Sequence, residues 1–106
     1  MKRYLVILTE SAVEDMEELY DYISGDLQAP ESAAAIYNRI ANAIESLELF
    51  PARYRIMVSE PERSLAIRKM PVGNYSVCYR ITGDSVNVIG IFYGASDTRP
   101  RLQKRL

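Results

Sequence analysis

The sequence predicts an α+β fold in a single domain that spans residues 1–106. Two segments with helical periodicity precede a run of strand-like segments, and helices and strands that separate in this way along a chain are typical of α+β proteins. The length suits one domain. The composition, 48% hydrophobic and 25% charged, is that of an ordinary globular protein and argues against disorder.

The chain opens with a predicted strand and a predicted helix. Residues 3–8 carry apolar side chains on both faces, which indicates a strand in the interior of a sheet. Thr9 or Ser11 caps the helix that follows, and Ser11 and Glu14 have the spacing of a capping box. The apolar residues that recur at helical spacing are Ala12, Met16, Leu19 and Ile23.

A second helix follows a break at residues 24–29. Pro30 suits the first turn of this helix, and Pro51 marks a point by which the helix has ended. Its apolar stripe consists of Ala33, Ile36, Tyr37, Ile40, Ile44 and Leu47. Because the connection is short, we expect the two helices to form an antiparallel hairpin that packs on one face of the sheet.

The second half of the chain reads as strands. Residues 54–58, 65–70, 75–81 and 86–93 are strand-like, and polar turns such as residues 71–74 and 82–85 separate them. These segments predict a three- to four-stranded antiparallel sheet whose second face stays partly open. The basic tail from residue 99 onward is either loose or a short helix.

The net charge of −1 conceals an uneven distribution. Residues 1–50 carry three cations and ten acids, whereas residues 51–106 carry ten cations and four acids. The first half is therefore acidic and the second half basic. A basic half suits contact with nucleic acid or with an acidic protein surface.

Several classes of protein are disfavoured by what the sequence lacks. Cys78 is the only cysteine, so no disulfide framework exists and a reducing cytoplasm is the expected location. The chain has no histidine, which removes the commonest general base and metal ligand. We expect no cofactor and no metal. No apolar run approaches the roughly 20 residues of a membrane span, and the N-terminus does not read as a signal peptide.

Short motifs along nearly the whole chain carry a family resemblance. They are Tyr4–Thr9 with Ala12, Asp15, Met16, Tyr22 and Ile23; Leu47–Pro51; Ile67–Tyr75 with Tyr79–Ile81; and Tyr93–Asp97. In this order they resemble the RelE/ParE superfamily of toxins from type II toxin–antitoxin modules, and its ParE-like branch most. The resemblance implies a cognate antitoxin that wraps the toxin with a segment that folds on binding, and a role in plasmid stabilization.

Two activities occur in this superfamily. RelE-like members cut messenger RNA in the ribosome, whereas ParE-like members poison DNA gyrase. The RelE-like pattern has an arginine where this chain has Ser76, and basic residues where it has Gly94, Ala95 and Ser96. The resemblance therefore implies a gyrase-binding toxin that inhibits growth and is not an enzyme. A ribosome-dependent mRNA endoribonuclease and a degenerate, non-toxic member are the alternatives.

Candidate contact residues lie on the strands and in the tail. As a ribonuclease, the chain would bind phosphate through Arg68, Lys69 and Arg80, and Tyr75 or Tyr79 would stack on a base. Otherwise Arg68 forms an ion pair with an acid of the helices, and the tyrosines pack in the core. The expected contacts with a target or antitoxin are Arg68, Lys69, Tyr75, Arg80, Tyr93, Asp97, Arg99 and Arg101.

Overall fold

The structure is a computed structural model and describes residues 1–94 and 98–106. Its elements, in chain order, are β1 (Leu5–Leu8), α1 (Glu10–Asp21), a π-helical turn (Tyr22–Asp26), α2 (Pro30–Glu45), 3₁₀ turns at Ser46–Glu48 and Pro51–Arg53, β2 (Ile67–Val72), β3 (Tyr75–Thr82), β4 (Ser85–Tyr93) and α3 (Arg99–Gln103). The predicted α+β class is confirmed. Within the described residues, no helix is long and apolar enough to cross a membrane.

The four strands form one sheet in the order β1-β4-β3-β2. Strands β2, β3 and β4 are antiparallel neighbours, whereas β1 pairs parallel to β4. The sheet is therefore mixed, and the prediction of an interior position for the first strand was wrong. Strand β1 is an edge strand, and one of its faces is exposed to solvent, since Leu5 and Ile7 are 64% and 41% exposed.

The helix boundaries follow local signals. Thr9 is the N-cap of α1, because its Oγ1 accepts a hydrogen bond from the Ala12 backbone N–H at 3.2 Å. Ser11 already lies inside the first turn, so the alternative capping box centred on it does not form. Pro30 is in the first turn of α2, as predicted. The two helices contact each other through Tyr20 and Tyr37, whose rings meet edge to face.

The main core lies between these helices and one face of the sheet. Its buried members come from every helix and strand except α3 and β1, and are Ala12, Met16, Leu19, Ile23, Ala33, Ile40, Ile44, Leu47, Met70, Val72, Val77, Tyr79, Val86, Val88 and Ile91. We call this side of the sheet the helix face. Burial of so many apolar side chains supplies most of the driving force for folding.

A second, smaller core covers much of the opposite face. It consists of Ile67, Cys78, Ile89, Phe92 and Leu102, and Met57 and Leu65 pack against it. We call this side the tail face, because Leu102 belongs to α3. The tail face is open at Lys69 and Arg80, which are exposed, whereas Ser76 and Cys78 on the same face are buried.

Two predicted strand boundaries differ from the structure. The candidate strand at residues 54–58 is reduced to a single bridge between Ile56 and Arg68, and the chain forms turns over residues 58–66. Strand β2 continues through Pro71 and Val72, where a turn was predicted. Pro71 is tolerated there because β2 is an edge strand of the sheet.

A β-bulge in β4 places neighbouring side chains of this strand in different cores. Cys78 lies opposite Gly90 and Tyr79 lies opposite Val88, so Ile89 is an extra residue. The bulge leaves Val88 in the main core and Ile89 in the second core. A Cβ atom on Gly90 would lie 2.5 Å from Arg105 Nη1, so only glycine allows this side chain to cross the strand.

Candidate functional site

Three of the predicted contact residues line one groove. Tyr75, Tyr93 and Arg101 meet there with Tyr22 and Leu27, around an open volume of about 760 Å³. We call this the tyrosine groove. Tyr22, Leu27 and Tyr93 are 52%, 55% and 48% exposed, so the groove presents large apolar side chains to solvent.

Two tyrosines form one wall of the tyrosine groove. Tyr75 and Tyr93 are opposite each other in the β3–β4 pairing, and their rings meet edge to face with centroids 5.6 Å apart. Burial raises the pKa of Tyr75, and the nearby Tyr93 and Tyr22 hydroxyls raise it further. Its phenol therefore stays neutral at physiological pH. It suits packing and hydrogen bonding better than proton abstraction.

Asp15, one of the residues that line the tyrosine groove, forms a largely buried ion pair with Arg105. Asp15, on α1, accepts hydrogen bonds from Arg105 at 2.6 Å and 2.9 Å, and from the backbone N–H of Ile91 at 2.9 Å. The hydrogen bond with Asp15 raises the pKa of Arg105. Arg105 also lies over the Phe92 ring at 4.9 Å. These groups already have partners inside the fold, so they hold the groove in place.

The structure places Arg68 apart from the other two candidate phosphate ligands. Arg68 is opposite Tyr79 on the helix face, where its Nη1 donates hydrogen bonds to the carbonyls of Ala52 at 3.2 Å and Tyr54 at 2.6 Å. Lys69 and Arg80 lie on the tail face and are exposed. The three cations therefore do not converge on one point.

Neighbouring side chains on β3 have structural environments. Tyr79 is fully buried, and its hydroxyl donates a hydrogen bond to the carbonyl of Pro51. Burial raises the pKa of Tyr79 to about 12. Cys78 is 1% exposed, and burial raises the pKa of its thiol to about 11, so Cys78 acts as a small apolar side chain of the second core. Tyr79 is thus out of reach of a nucleic-acid base.

Arg99 ties the tail to the loop before β2. Its Nε donates to Glu62 Oε1 at 3.0 Å, and its Nη2 donates to the carbonyl of Glu60 at 3.2 Å. Glu62 is fully buried. Burial favours a higher pKa for this carboxyl, but the hydrogen bonds from Arg99 and Gln103 outweigh it and lower the pKa. Asp97, another predicted contact, lies outside the described residues.

Sequence reasoning missed two exposed groups that line surface grooves. Tyr22 and Leu27 were assigned to the end of a helix and to a break, yet they form the outer wall of the tyrosine groove. An apolar Leu27 among polar residues was a usable signal. Phe50, which is 67% exposed, lies in the connection between α2 and β2. It lines a separate groove together with Lys2 and Tyr4.

Known proteins with the same fold provide an independent comparison. The first is described as the chromosomal ParDE TA system from P. aeruginosa, with 20% identity, a TM-score of 0.72 and coverage of 86% of this chain and 96% of the other. The toxin–antitoxin complex RelBE2 from Mycobacterium tuberculosis has 22% identity, a TM-score of 0.62 and coverage of 91% and 97%. A mutant of E. coli toxin RelE in the free state has 15% identity, a TM-score of 0.65 and coverage of 98% of both chains.

These similarities concern the fold alone, because each identity is low. A search of curated proteins finds no match. The family described as "ParE toxin of type II toxin-antitoxin system, parDE" matches residues 6–98, which is most of the chain. The match covers α1, α2 and every residue of the four strands except Leu5. The chain therefore belongs to the ParE toxin family of type II toxin–antitoxin systems.

Proposed function

We propose that this chain is a ParE-like toxin that arrests growth by binding DNA gyrase in the cytoplasm, and that a cognate antitoxin neutralises it. The observation that favours protein binding most is the separation of Arg68 from Lys69 and Arg80 on opposite faces of the sheet. Cleavage of RNA requires a base and a cluster of groups that stabilise charge on one phosphate. Two exposed cations and a neutral tyrosine on different surfaces do not meet that requirement.

We assign the antitoxin to the tyrosine groove. Its apolar rim suits the apolar side chains of a segment that folds on binding, and Arg101 suits an acidic residue in that segment. The similar structures from P. aeruginosa and M. tuberculosis are described as toxin–antitoxin systems, which supports an antitoxin as a partner. A toxin paired with such an antitoxin would stabilise a plasmid that carries both genes.

The test of the target is a supercoiling assay with purified gyrase. We expect the toxin to inhibit supercoiling and to trap cleaved DNA, and the antitoxin encoded beside it to reverse both effects. A parallel translation extract is the control for the ribonuclease alternative. Codon-positioned cuts in mRNA, with supercoiling unchanged at excess toxin, would contradict the gyrase proposal. No growth arrest from a soluble, folded protein would identify a degenerate member.

The test of the antitoxin site is a pair of substitutions. Leu27→Asp places a charge on the apolar rim, and we expect it to weaken antitoxin binding at least tenfold in calorimetry. Val58→Asp is the matched control, because it places the same charge on an exposed apolar residue outside the groove. Equal affinity for Leu27→Asp and the unsubstituted chain would place the antitoxin elsewhere.

A further inference from the structure

Phe50 combines exposure with an unfavourable backbone conformation. Its side chain is 67% exposed, and its backbone is left-handed with φ 50° and ψ 52°. A bulky residue other than glycine adopts this region only when the surrounding structure imposes it. The ring gains little from burial in return. Neither local propensity nor the core therefore explains a phenylalanine at this position.

Three buried or anchored side chains impose the conformation of the loop around Phe50. Arg53 donates to the carbonyl of Leu49 at 2.7 Å and to that of Phe50 at 3.2 Å. Tyr79 and Arg68 reach the same loop from the sheet. The carbonyls they bond are those of Pro51, Ala52 and Tyr54. Five carbonyls of residues 49–54 thus accept hydrogen bonds from these side chains, which favours one conformation of Phe50 before any partner arrives.

The Phe50 ring stands at the edge of a shallow apolar groove. The groove has a volume of about 490 Å³ and is also lined by Lys2, Tyr4, Pro51 and Arg53. An exposed aromatic side chain on a strained but fully braced backbone is typical of a functional site. Aromatic side chains are also the usual anchors of protein interfaces, because they bury a large rigid surface at little entropic cost.

The charges around Phe50 favour a protein partner over a nucleic acid. Lys2 pairs with Asp84 at 3.0 Å, and Arg3 pairs with Glu48 at 2.7 Å. Acids therefore interrupt the positive charge at Lys2 and Arg3, unlike the continuous positive stripe that binds a phosphate backbone. Arg55 is exposed nearby in the chain and suits an acidic group at the rim of an apolar pocket.

We propose that Phe50 is the anchor that inserts into an apolar pocket, with an acidic rim, on the protein target of this toxin. The proposal rests on the proposed function, because it requires a toxin that acts by binding a protein. The Phe50 groove and the tyrosine groove share no lining residue. Contact with the target and contact with the antitoxin are therefore separable by substitution.

The test is Phe50→Gly in the full chain. Glycine adopts the left-handed conformation without strain, so the melting temperature should stay the same or rise. We expect growth arrest on induction to be lost, and the affinity for the purified antitoxin to stay within twofold of the original. Phe50→Trp, which keeps a large ring, should retain growth arrest. Val58→Ala, an exposed apolar residue elsewhere, should change none of these readouts.

Each other outcome contradicts a specific statement. Growth arrest that persists in Phe50→Gly overturns the anchor, and so does a parallel loss of antitoxin binding. If the unsubstituted toxin cuts mRNA in an extract and Phe50→Gly does not, the ring acts on nucleic acid and the protein pocket is wrong. If the toxin inhibits gyrase, Phe50→Gly should raise the inhibitory concentration at least tenfold, and an unchanged concentration overturns the anchor.

A toxin that arrests growth but leaves both gyrase and mRNA unaffected would refute the gyrase proposal alone. The role of Phe50 as an anchor is then tested by comparing growth arrest between Phe50→Gly and Phe50→Trp. Loss of arrest in the first and retention in the second supports Phe50 as a contact with another protein target. An unsubstituted toxin that leaves growth unaffected overturns both proposals.

Discussion

The two faces of the sheet are stabilised in different ways. The helix face buries fifteen residues in its core, whereas the tail face buries five. The tail face adds two ion pairs, Glu62 with Arg99 and Asp15 with Arg105. The five residues of α3 are too few to bury a large apolar surface, and polar contacts add to it: Arg99 of α3 pairs with the buried Glu62, and Arg105 just after α3 pairs with the buried Asp15. The comparison shows that one face depends on apolar burial and the other on specific polar contacts.

This difference also explains the apparent basic character of the second half of the chain. Arg68, Arg99 and Arg105 all lie in that half, and all three donate hydrogen bonds within the fold. These three of the ten cations in this half therefore have structural partners. Of the predicted set, Lys69, Arg80 and Arg101 lie exposed on the surface, and Arg99 is also exposed although it pairs with Glu62.

The largest effect should come from the ion pair that joins the two faces. Asp15→Ala removes the partner of Arg105 and the acceptor of the Ile91 N–H, and breaking a buried pair in this way costs about 3–5 kcal/mol. Urea denaturation measures the loss. Adding Arg105→Ala should recover part of it, because no buried guanidinium then lacks a partner. An Asp15→Ala variant as stable as the original would contradict the contrast between the faces.

A pair of truncations compares the two cores directly. Ile40→Ala in the main core should cost about 3 kcal/mol, because α2 cannot move to fill the cavity. Leu102→Ala in the second core should cost less, about 2 kcal/mol, because the short α3 can detach and avoid leaving a cavity. Denaturation gives both values, and hydrogen exchange should report faster opening in α3 alone. Equal costs would mean that the two faces are equally rigid.

The buried acid of the tail face gives a dependence on pH. The folded state lowers the pKa of Glu62 below its ordinary value of 4.5, so Glu62 contributes stability above that value and loses the contribution as pH falls through the folded pKa. Glu62→Gln, which cannot ionise, should cost about 1–2 kcal/mol at pH 7 through weaker hydrogen bonds with Arg99 and Gln103. The difference between the two proteins should shrink in acid. A difference independent of pH would show that the charge of Glu62 is unimportant.

The smallest effect should come from a surface ion pair outside both cores. Arg3 and Glu48 meet at 2.7 Å, but their side chains are 67% and 38% exposed. Exposed pairs contribute little because water and salt screen them, so Arg3→Ala should change the free energy of unfolding by less than about 0.5 kcal/mol. The same denaturation measurement, repeated in high salt, checks it. A loss comparable to that of Asp15→Ala would mean that exposure does not distinguish the two pairs.

The candidate site was predictable only where a local pattern implied a position on one face. Tyr75 and Tyr93 were predicted contacts, and the strand register brings them together in the tyrosine groove. Arg68 and Lys69 are adjacent in β2, and alternation along a strand places their side chains on opposite faces. The role of Arg68 in holding the loop before β2 was not predictable, because the carbonyls it bonds lie 14 and 16 residues away in the sequence.

The sequence by itself determined the two helices, the three antiparallel strands and the family. Apolar periodicity and turn residues act over a few positions, so the sequence alone is enough to recognise the elements they specify. The tertiary structure alone decided that β1 is a parallel edge strand, that Ile89 forms a bulge and that arginines cap distant carbonyls. Those features depend on which segments meet in space, and a linear pattern carries no information about partners so far apart.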